Sequence, residues 1–494
     1  MIAWTIYVTF GGALLLLFLP HVLARWMALL ASLTGFVISL NAFFATGDSG
    51  TFKTIVQLPW IRGLGFEYHL AADGISLTMC LVTSLTAVSA VLFSWDVEER
   101  PNEFFFWLLL VVGGSYGVFL SADLFLLFVF YELVIVPKYF LIAIWGSTNK
   151  EYGAMKLTLY SFFGGALALI GIIAIYVTAG GATLDLQQLA QFKFAPQFQS
   201  WVFPILFLGF AVLAGIWPLH TWAPTGHVAA PTAGSMLLAG IVMKLGAYAA
   251  LRVAMNLLPL GFQMWSKWIL VLGVIGIVYA AGVALRQRDL KFVIGYSSVS
   301  HMGFVLLGLA SANALAVGGA VLQMFSHGVI AALLFAVAGR MIYRRTHTRD
   351  LDALSKMNLS KLLPFAAFSF VIASAASMGI PGFSGFAAEI TILLGVWKAY
   401  PVAVLVTGAG MVLVAAFTLR ALKKTFFSDA ATAVRTQQGR VPLDPDWSEQ
   451  SPISAAEKWG ASLLMFATLA AGLYPKFLLD RILPAVEAMH FLKP

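Results

Sequence analysis

A chain of 494 residues would ordinarily hold about three or four soluble domains, yet apolar and aromatic residues (Ala, Val, Ile, Leu, Met, Phe, Trp, Tyr, Cys) make up 60% of it and charged residues only 11%. So few charged side chains cannot give a protein of this size a water-facing surface, so the composition excludes a soluble enzyme and points to a polytopic protein in a lipid bilayer. The net charge of +8 is no nucleic-acid signature, because the Lys and Arg fall in short loops between apolar runs.

In chain order, fourteen runs are long enough to span. The first, about Ile2 to Leu19, lacks a basic leader and a small-residue cleavage site, and is read as a retained helix centred near Leu14. The others centre near Leu33, Leu85, Val111, Val129, Leu167, Phe207, Leu238, Ile275, Leu306, Leu333, Ile372, Leu413 and Phe466. Their apolar character throughout favours helices over the short alternating segments of a barrel. The expected fold is an all-α polytopic membrane protein of about 14 transmembrane helices. Two spans are interrupted: helix 7 by Pro218, Pro224 and Pro231, and helix 12 by Gly379-Ile380-Pro381-Gly382, with Gly385 just beyond. Breaks at membrane depth are tolerated where they are buried or line a wet cavity, and breaks at matching positions suggest an inverted repeat. On that spacing the chain divides into residues 1–95 (helices 1–3), 96–258 (a first five-helix repeat, helices 4–8), 259–425 (a second, inverted repeat, helices 9–13) and 426–494 (a cytoplasmic loop and helix 14).

Of the 30 Lys and Arg, 19 lie in loops after odd-numbered spans and 9 on the other side, leaving Lys138 and Lys244 inside spans. The positive-inside rule then places both termini on the non-cytoplasmic side and the polar segment Ser428–Pro452 in the cytoplasm.

An ionisable group at membrane depth costs at least about 2.5–3.5 kcal/mol, so each is a functional candidate. Glu132 sits mid-span before Pro137 and Lys138; Lys244 lies among apolar neighbours, well inside Arg252, which marks that end of the span; Glu389 follows the break of helix 12. Lys138, six residues from Glu132, is turned about 240° from it on a regular helix and faces another helix or subunit. His301 and His327 fall in consecutive spans beside Ser and Gly and suit proton relay, while His220, His227 and His347 suit relay or packing equally. Asp123 is read as a helix N-cap, and Gly113-Gly114 and Gly164-Gly165 as helix-packing sites. The histidine spacings give no metal set. The single Cys80 builds no disulfide or cysteine-ligated centre. No phosphate loop, dinucleotide fingerprint or nucleophile elbow appears, so no catalytic residue, cofactor site or metal site is assigned. A line of buried Glu, Lys and His favours moving protons or small cations.

The motifs bring a family into view. The stretch from about Asp96 to Leu422 resembles the antiporter-like subunits of respiratory complex I (NADH:quinone oxidoreductase), most closely its chain 4 or subunit M branch, and beyond these the subunits of multisubunit cation/proton antiporters. It does so in Phe130-Tyr131-Glu132-Leu133, Val136-Pro137-Lys138-Tyr139-Phe140-Leu141-Ile142, Trp145-Gly146, Pro218-Leu219-His220-Thr221-Trp222, Ala230-Pro231-Thr232-Ala233-Gly234-Ser235, Ser297-Ser298-Val299-Ser300-His301-Met302-Gly303-Phe304 and Thr346-His347-Thr348-Arg349-Asp350. The resemblance implies fourteen helices with inverted five-helix repeats, and makes Glu132, Lys244 and Glu389 the glutamate of span 5, the lysine of span 8 and the glutamate of span 12 near the exit side. Two departures stand out: Leu213 occupies the position of a usual lysine that pairs with the span-5 glutamate, and Pro224-Thr225-Gly226-His227 replaces Pro-Asp-Ala-His.

The implied function is a proton-translocating subunit of a complex I-type oxidoreductase with an altered first half-channel. It would sit among other membrane subunits in a bacterial inner membrane or equivalent energy-transducing membrane, with NADH, FMN, iron–sulfur clusters and quinone held by partner chains. A subunit of a related cation/proton antiporter, membrane-bound hydrogenase or carbon-uptake complex, and a non-pumping structural subunit, stay open.

Overall fold

The computed structural model describes residues 1–45, 50–428 and 452–492; most of the polar segment Ser428–Pro452 lies outside them. The helices are α1 (Trp4–Leu16), α2 (Ala24–Ala45), α3 (Gly74–Leu92), α4 (Pro101–Leu120), α5 (Leu124–Leu133), α6 (Ile135–Trp145), α7 (Lys150–Thr178), α8 (Pro196–Ala214) and α9 (Trp222–Ala229). Then come α10 (Thr232–Met255), α11 (Pro259–Arg286), α12 (Leu290–Ala310) and α13 (Ala314–Thr346). After these follow α14 (Pro364–Ser377), α15 (Ser384–Trp397), α16 (Pro401–Phe426), α17 (Ala455–Leu473) and α18 (Lys476–Glu487).

Each of the fourteen sequence-derived centres falls in a helix. By length and composition, however, eleven helices among the described residues can cross a bilayer, or twelve if α17 and α18 count as one span bent by 71°. α1, α14 and α15 are apolar but shorter. Beyond α17, which holds the centre near Phe466, α18 turns away at Pro475 and lays Leu478, Ile482, Ala485 and Val486 into the protein. The fold is mostly helical, as expected, with one small addition. A β-hairpin, β1 (Lys53–Ile61) and β2 (Phe66–Ala72), pairs antiparallel between α2 and α3 around Gly65, which holds φ +68.

Burial separates a core from a rim. The apolar windows of α10 and α13 are wholly buried and that of α3 is 94% buried, while α7 and α16 bury only 39% and 33%. Lys244 and His327 therefore lie on the two innermost helices. Small residues bring the backbones together, the usual device where lipid removes the hydrophobic drive between helices. A Cβ on Gly303 of α12 would stand 2.9 Å from Gly273 O of α11, and one on Gly164 of α7 2.6 Å from Gly209 O of α8. Gly113 and Gly114 of α4 receive Phe10 and Val134 in the same way.

The breaks follow from local chemistry. α8 ends on Gly215 at φ +82, and Pro231 starts α10. Between α14 and α15, Gly379 and Gly382 hold φ +70 and +96, a region that L side chains disfavour. A third break, read in the sequence as continuous helix, falls at Val134 between α5 and α6, where Pro137 lacks an N–H and its ring crowds the Leu133 carbonyl. Wide π-turns interrupt α10 at Leu238–Val242 and Ala250–Met255, and α13 at Val337–Ile342.

One clasp occurs twice. Leu124 N donates to Leu184 O and Leu186 N to Ala122 O, tying the N-cap Asp123 of α5 to the N-cap Asp185 of a short turn. Likewise Leu290 N donates to Arg349 O and Leu351 N to Arg288 O, tying the N-cap Asp289 of α12 to the N-cap Asp350.

Candidate functional site

The innermost helices carry a line of polar side chains. Lys244 of α10 is fully buried between two π-turns. Its Nζ donates to Ala239 O, a carbonyl inside the first π-turn, and lies 2.6 Å from Nδ1 of His327 on α13. A π-turn leaves carbonyls without regular helical partners, which is how a buried ammonium finds an acceptor without an acidic neighbour. His327 stacks on His301 of α12, with ring centroids 5.5 Å apart and planes inclined by 17°.

His301 is held from two sides. Nδ1 lies 2.8 Å from Ser297 O, and Nε2 lies 3.1 Å from Ser377 O and 3.6 Å from Glu389 Oε1. Each nitrogen thus faces a backbone carbonyl, which can only accept. A neutral imidazole fills one such position and an imidazolium fills both. The Ser297 hydroxyl, 3.4 Å from Nδ1, is the group there that can donate to a neutral ring.

Glu389 sits one turn into α15, nearly fully buried. The preceding break makes its room: a Cβ on Gly379 would stand 2.7 Å from Glu389 Oε2. Lys244, His327, His301 and Glu389, chosen separately in the sequence, lie side by side through α10, α13, α12 and α15, with a ring stack rather than a hydrogen bond between His327 and His301.

Glu132 lies outside that line, on the last turn of α5. Its Oε1 is buried with no hydrogen-bond partner, and a Cβ on Gly165 of α7 would overlap the carboxylate. Lys138 of α6 is buried with an unpartnered Nζ beside a small cavity shared with Gly234, Leu237 and Leu238. No ion pair joins Glu132 to Lys138 among the described residues, as their six-residue spacing leads one to expect. Lys244 points to His327 and Ala239 rather than toward Glu132. Leu213 is buried on the last turn of α8, where α8 meets α10 so closely that a Cβ on Gly246 would stand 2.6 Å from Ala214 N.

The other histidines separate. His227 is fully buried, stacks on Phe335 with centroids 4.5 Å apart, and has no partner on either ring nitrogen. His220 meets Tyr279 and Tyr296 edge-on, and its nitrogens are also unpartnered. His347 is exposed at the C-cap of α13 and stands apart from the buried line.

Sequence reasoning missed three features. Lys291 is buried on the first turn of α12 and donates to Ala230 O at 2.9 Å; it follows the polar run Arg286–Asp289, so the sequence placed it among the loop cations. Arg252 was taken to mark a membrane edge but is buried, with a fork of bonds to Asp73 Oδ1 (2.8 Å) and Oδ2 (2.6 Å), while Asp73 caps α3. Glu67, His69 and Asp185 bring their side-chain ligand atoms within 4.8 Å of one another. Both nitrogens of His69 are already bonded there, to Asp185 Oδ2 at 2.5 Å and Thr54 Oγ1 at 2.8 Å, so the trio is a closed network rather than an open ligand set.

Residues 121–415 match the family model for the transmembrane region of NADH:quinone oxidoreductase/Mrp antiporter subunits. The chain is 36% identical to NAD(P)H-quinone oxidoreductase chain 4 1 of Synechococcus elongatus, over 92% of this chain and 84% of the relative. It is 34% identical to NADH-quinone oxidoreductase subunit M of Rhodobacter capsulatus, over 94% and 90%. A chain of respiratory complex I from Thermus thermophilus, solved with bound NADH, superposes with a TM-score of 0.89 at 27% identity, covering 100% of this chain and 99% of that one.

Proposed function

The chain belongs to the NADH:quinone oxidoreductase/Mrp antiporter family of membrane subunits, and from that premise we propose that it is the proton-translocating subunit M (chain 4) of a complex I-type NADH:quinone oxidoreductase. The observation that carries the reading is the line Lys244–His327–His301–Glu389, four proton-exchanging groups on the innermost helices and on the far side of a helix break.

In this reading Lys244 exchanges a proton with His327 Nδ1, and His301 Nε2 passes one to Glu389 as their 3.6 Å separation tightens to a hydrogen bond. A conformational or electrostatic signal from neighbouring membrane subunits would bias which end of the line holds the proton. NADH, FMN, iron–sulfur clusters and quinone belong to partner chains. His227, buried with free ring nitrogens, is the best placed of the remaining histidines to extend the line, while His220 and Lys138 belong to the first half of the chain and Glu132 is its acidic group.

The duplicated Asp123/Asp185 and Asp289/Asp350 clasps support two inverted five-helix repeats, residues 96–258 and 259–425, within a fourteen-helix plan in which α14 and α15 form one broken span. The protein would lie in a bacterial inner membrane or equivalent energy-transducing membrane, with both termini on the non-cytoplasmic side. Exposed rim residues such as Trp201, Val412 and Phe466 suit lipid or neighbouring subunits.

The test is Glu389→Gln in the assembled complex. Quinone reduction should continue with coupled proton transfer reduced by about 10²-fold or more at this site and assembly near normal. An unchanged proton-to-electron stoichiometry rejects the role.

A further inference from the structure

A cavity of about 20 Å³ lies between α12, α14 and α16, walled by Leu290, Ser297, Ser374, Ser377, Thr418 and Ala421 among others. Its position follows from the three helices. Leu290 opens α12 and Ala421 lies in the last two turns of α16, so that end adjoins the basic loops. Ser297 lies four residues before His301, and Ser377 ends α14 where its carbonyl meets His301 Nε2, so the other end adjoins His301. The volume suffices for one or two waters, and a buried water needs two to four polar partners. They are present: Ser374 Oγ and Thr418 Oγ1 are both buried and without a hydrogen-bond partner, in an interior where unpaired hydroxyls are disfavoured. Ser297 supplies a third hydroxyl, 3.4 Å from His301 Nδ1.

We propose that this cavity is a water site that loads protons onto Nδ1 of His301 from the basic-loop face, with Ser297 as the last relay. The inference rests on the proton-relay reading above and adds an entrance to it. A proton arriving on water in the cavity is taken up by Ser297 Oγ, which gives its own proton to Nδ1, whose lone pair accepts it. The ring is then doubly protonated and faces Ser297 O on one side, and Ser377 O and Glu389 Oε1 on the other. It releases the Nε2 proton to Glu389, so one proton enters and one leaves per passage, and the ring is left neutral with its proton on Nδ1, facing Ser297 O. Thr418 and Ser374 bind the water and touch neither His301 nor Glu389 by hydrogen bond, which makes them positioning residues.

Two measurements on the assembled complex test this. In oriented membrane vesicles, Thr418→Cys should react with a small water-borne methanethiosulfonate added on the basic-loop face, read as added mass on this chain. Thr407→Cys, on the same helix and equally buried without a partner but off the cavity, should not react. The chain's own Cys80 is buried and serves as an internal background. Second, Ala421→Leu, which fills the cavity, should slow proton transfer by about tenfold or more, while Val412→Leu, on the exposed face of the same helix and off the cavity, should not. Equal labelling at positions 418 and 407, no labelling at 418, or unchanged proton transfer in Ala421→Leu overturns the proposal. The two readings separate through Glu389→Gln: if it blocks proton transfer while the cavity variants do not, only the entrance falls, and if it leaves proton transfer intact, the relay falls and the entrance with it.

Discussion

Asp123 shows how a single side chain couples this fold to pH. Its carboxylate caps α5 by accepting from Leu126 N at 2.9 Å and also accepts from Glu67 N at 3.3 Å. Burial outweighs those bonds and pushes its pKa up to about 6. A carboxyl raised above its unfolded value near 4 binds its proton more tightly in the folded state. Its stabilising contribution is therefore full below pH ~4 and is lost as pH rises through ~6. Asp123→Asn keeps the acceptor and removes the charge, so its stability relative to the parent should improve by about 3 kcal/mol between pH 4 and pH 7. Asp123→Ala should lose about 1 kcal/mol of cap stabilisation at acid pH. Thermal unfolding at several pH values checks both, and parallel curves for parent and Asn variant would reject the first. The cap itself was legible in the sequence, as were Lys244 and Glu389, because a charge amid apolar residues has few explanations. Arg252 and Asp73 were not. Each had a bland explanation alone, and only the tertiary structure brings residues so far apart into one buried pair.

At the scale of elements, the breaks of helices 7 and 12 were legible because Pro and Gly state their backbone constraints locally, whereas the one at Val134 was not. The β-hairpin and the π-turns were not: the hairpin is a short excursion between spans whose first strand is mostly exposed and whose second is mostly buried, and a π-turn has no composition that separates it from α-helix. The break at Gly379 carries a sharper consequence. It holds φ +70, and its missing Cβ is the space occupied by the Glu389 carboxylate. Gly379→Ala would impose about 1–2 kcal/mol of backbone strain and push the carboxylate from its place 3.6 Å from His301. Proton transfer should fall nearly as far as in Glu389→Gln, although the carboxylate is retained. Full coupling in an assembled Gly379→Ala complex would show that this close approach is irrelevant to transfer.

Across the whole molecule the two halves are unequal. Lys244 of the first repeat bonds to His327 of the second, beside His301 and Glu389, while the rest of the first repeat holds Glu132 with one buried, unpartnered oxygen and Lys138 with an unpartnered ammonium, and neither reaches that line by hydrogen bond among the described residues. Leu213 stands where the resemblance places a lysine. Its surroundings adjoin those of Glu132: the Glu132 carboxylate lies against Gly165, and the neighbouring Gly164 packs against Val212. Two ways to compensate for the missing cation are a swing of Lys244 toward Glu132 and a first half that works without a charged partner for its glutamate. The geometry favours the second, because Lys244 is committed to His327 and Ala239, and leaving them would break the second line. Leu213→Lys should then complete a Glu–Lys pair. A buried lysine destabilises strongly unless paired, so a folded, assembled Leu213→Lys complex with raised proton flux is the expected outcome, and Leu213→Met should assemble with flux unchanged. Adding Glu132→Gln to Leu213→Lys should leave the ammonium without its counter-charge and cost about 3–5 kcal/mol of stability, read as impaired assembly or an earlier thermal transition. If that double variant is as stable as Leu213→Lys alone, the inserted lysine is not paired with Glu132, and the first half-channel is organised around some other contact.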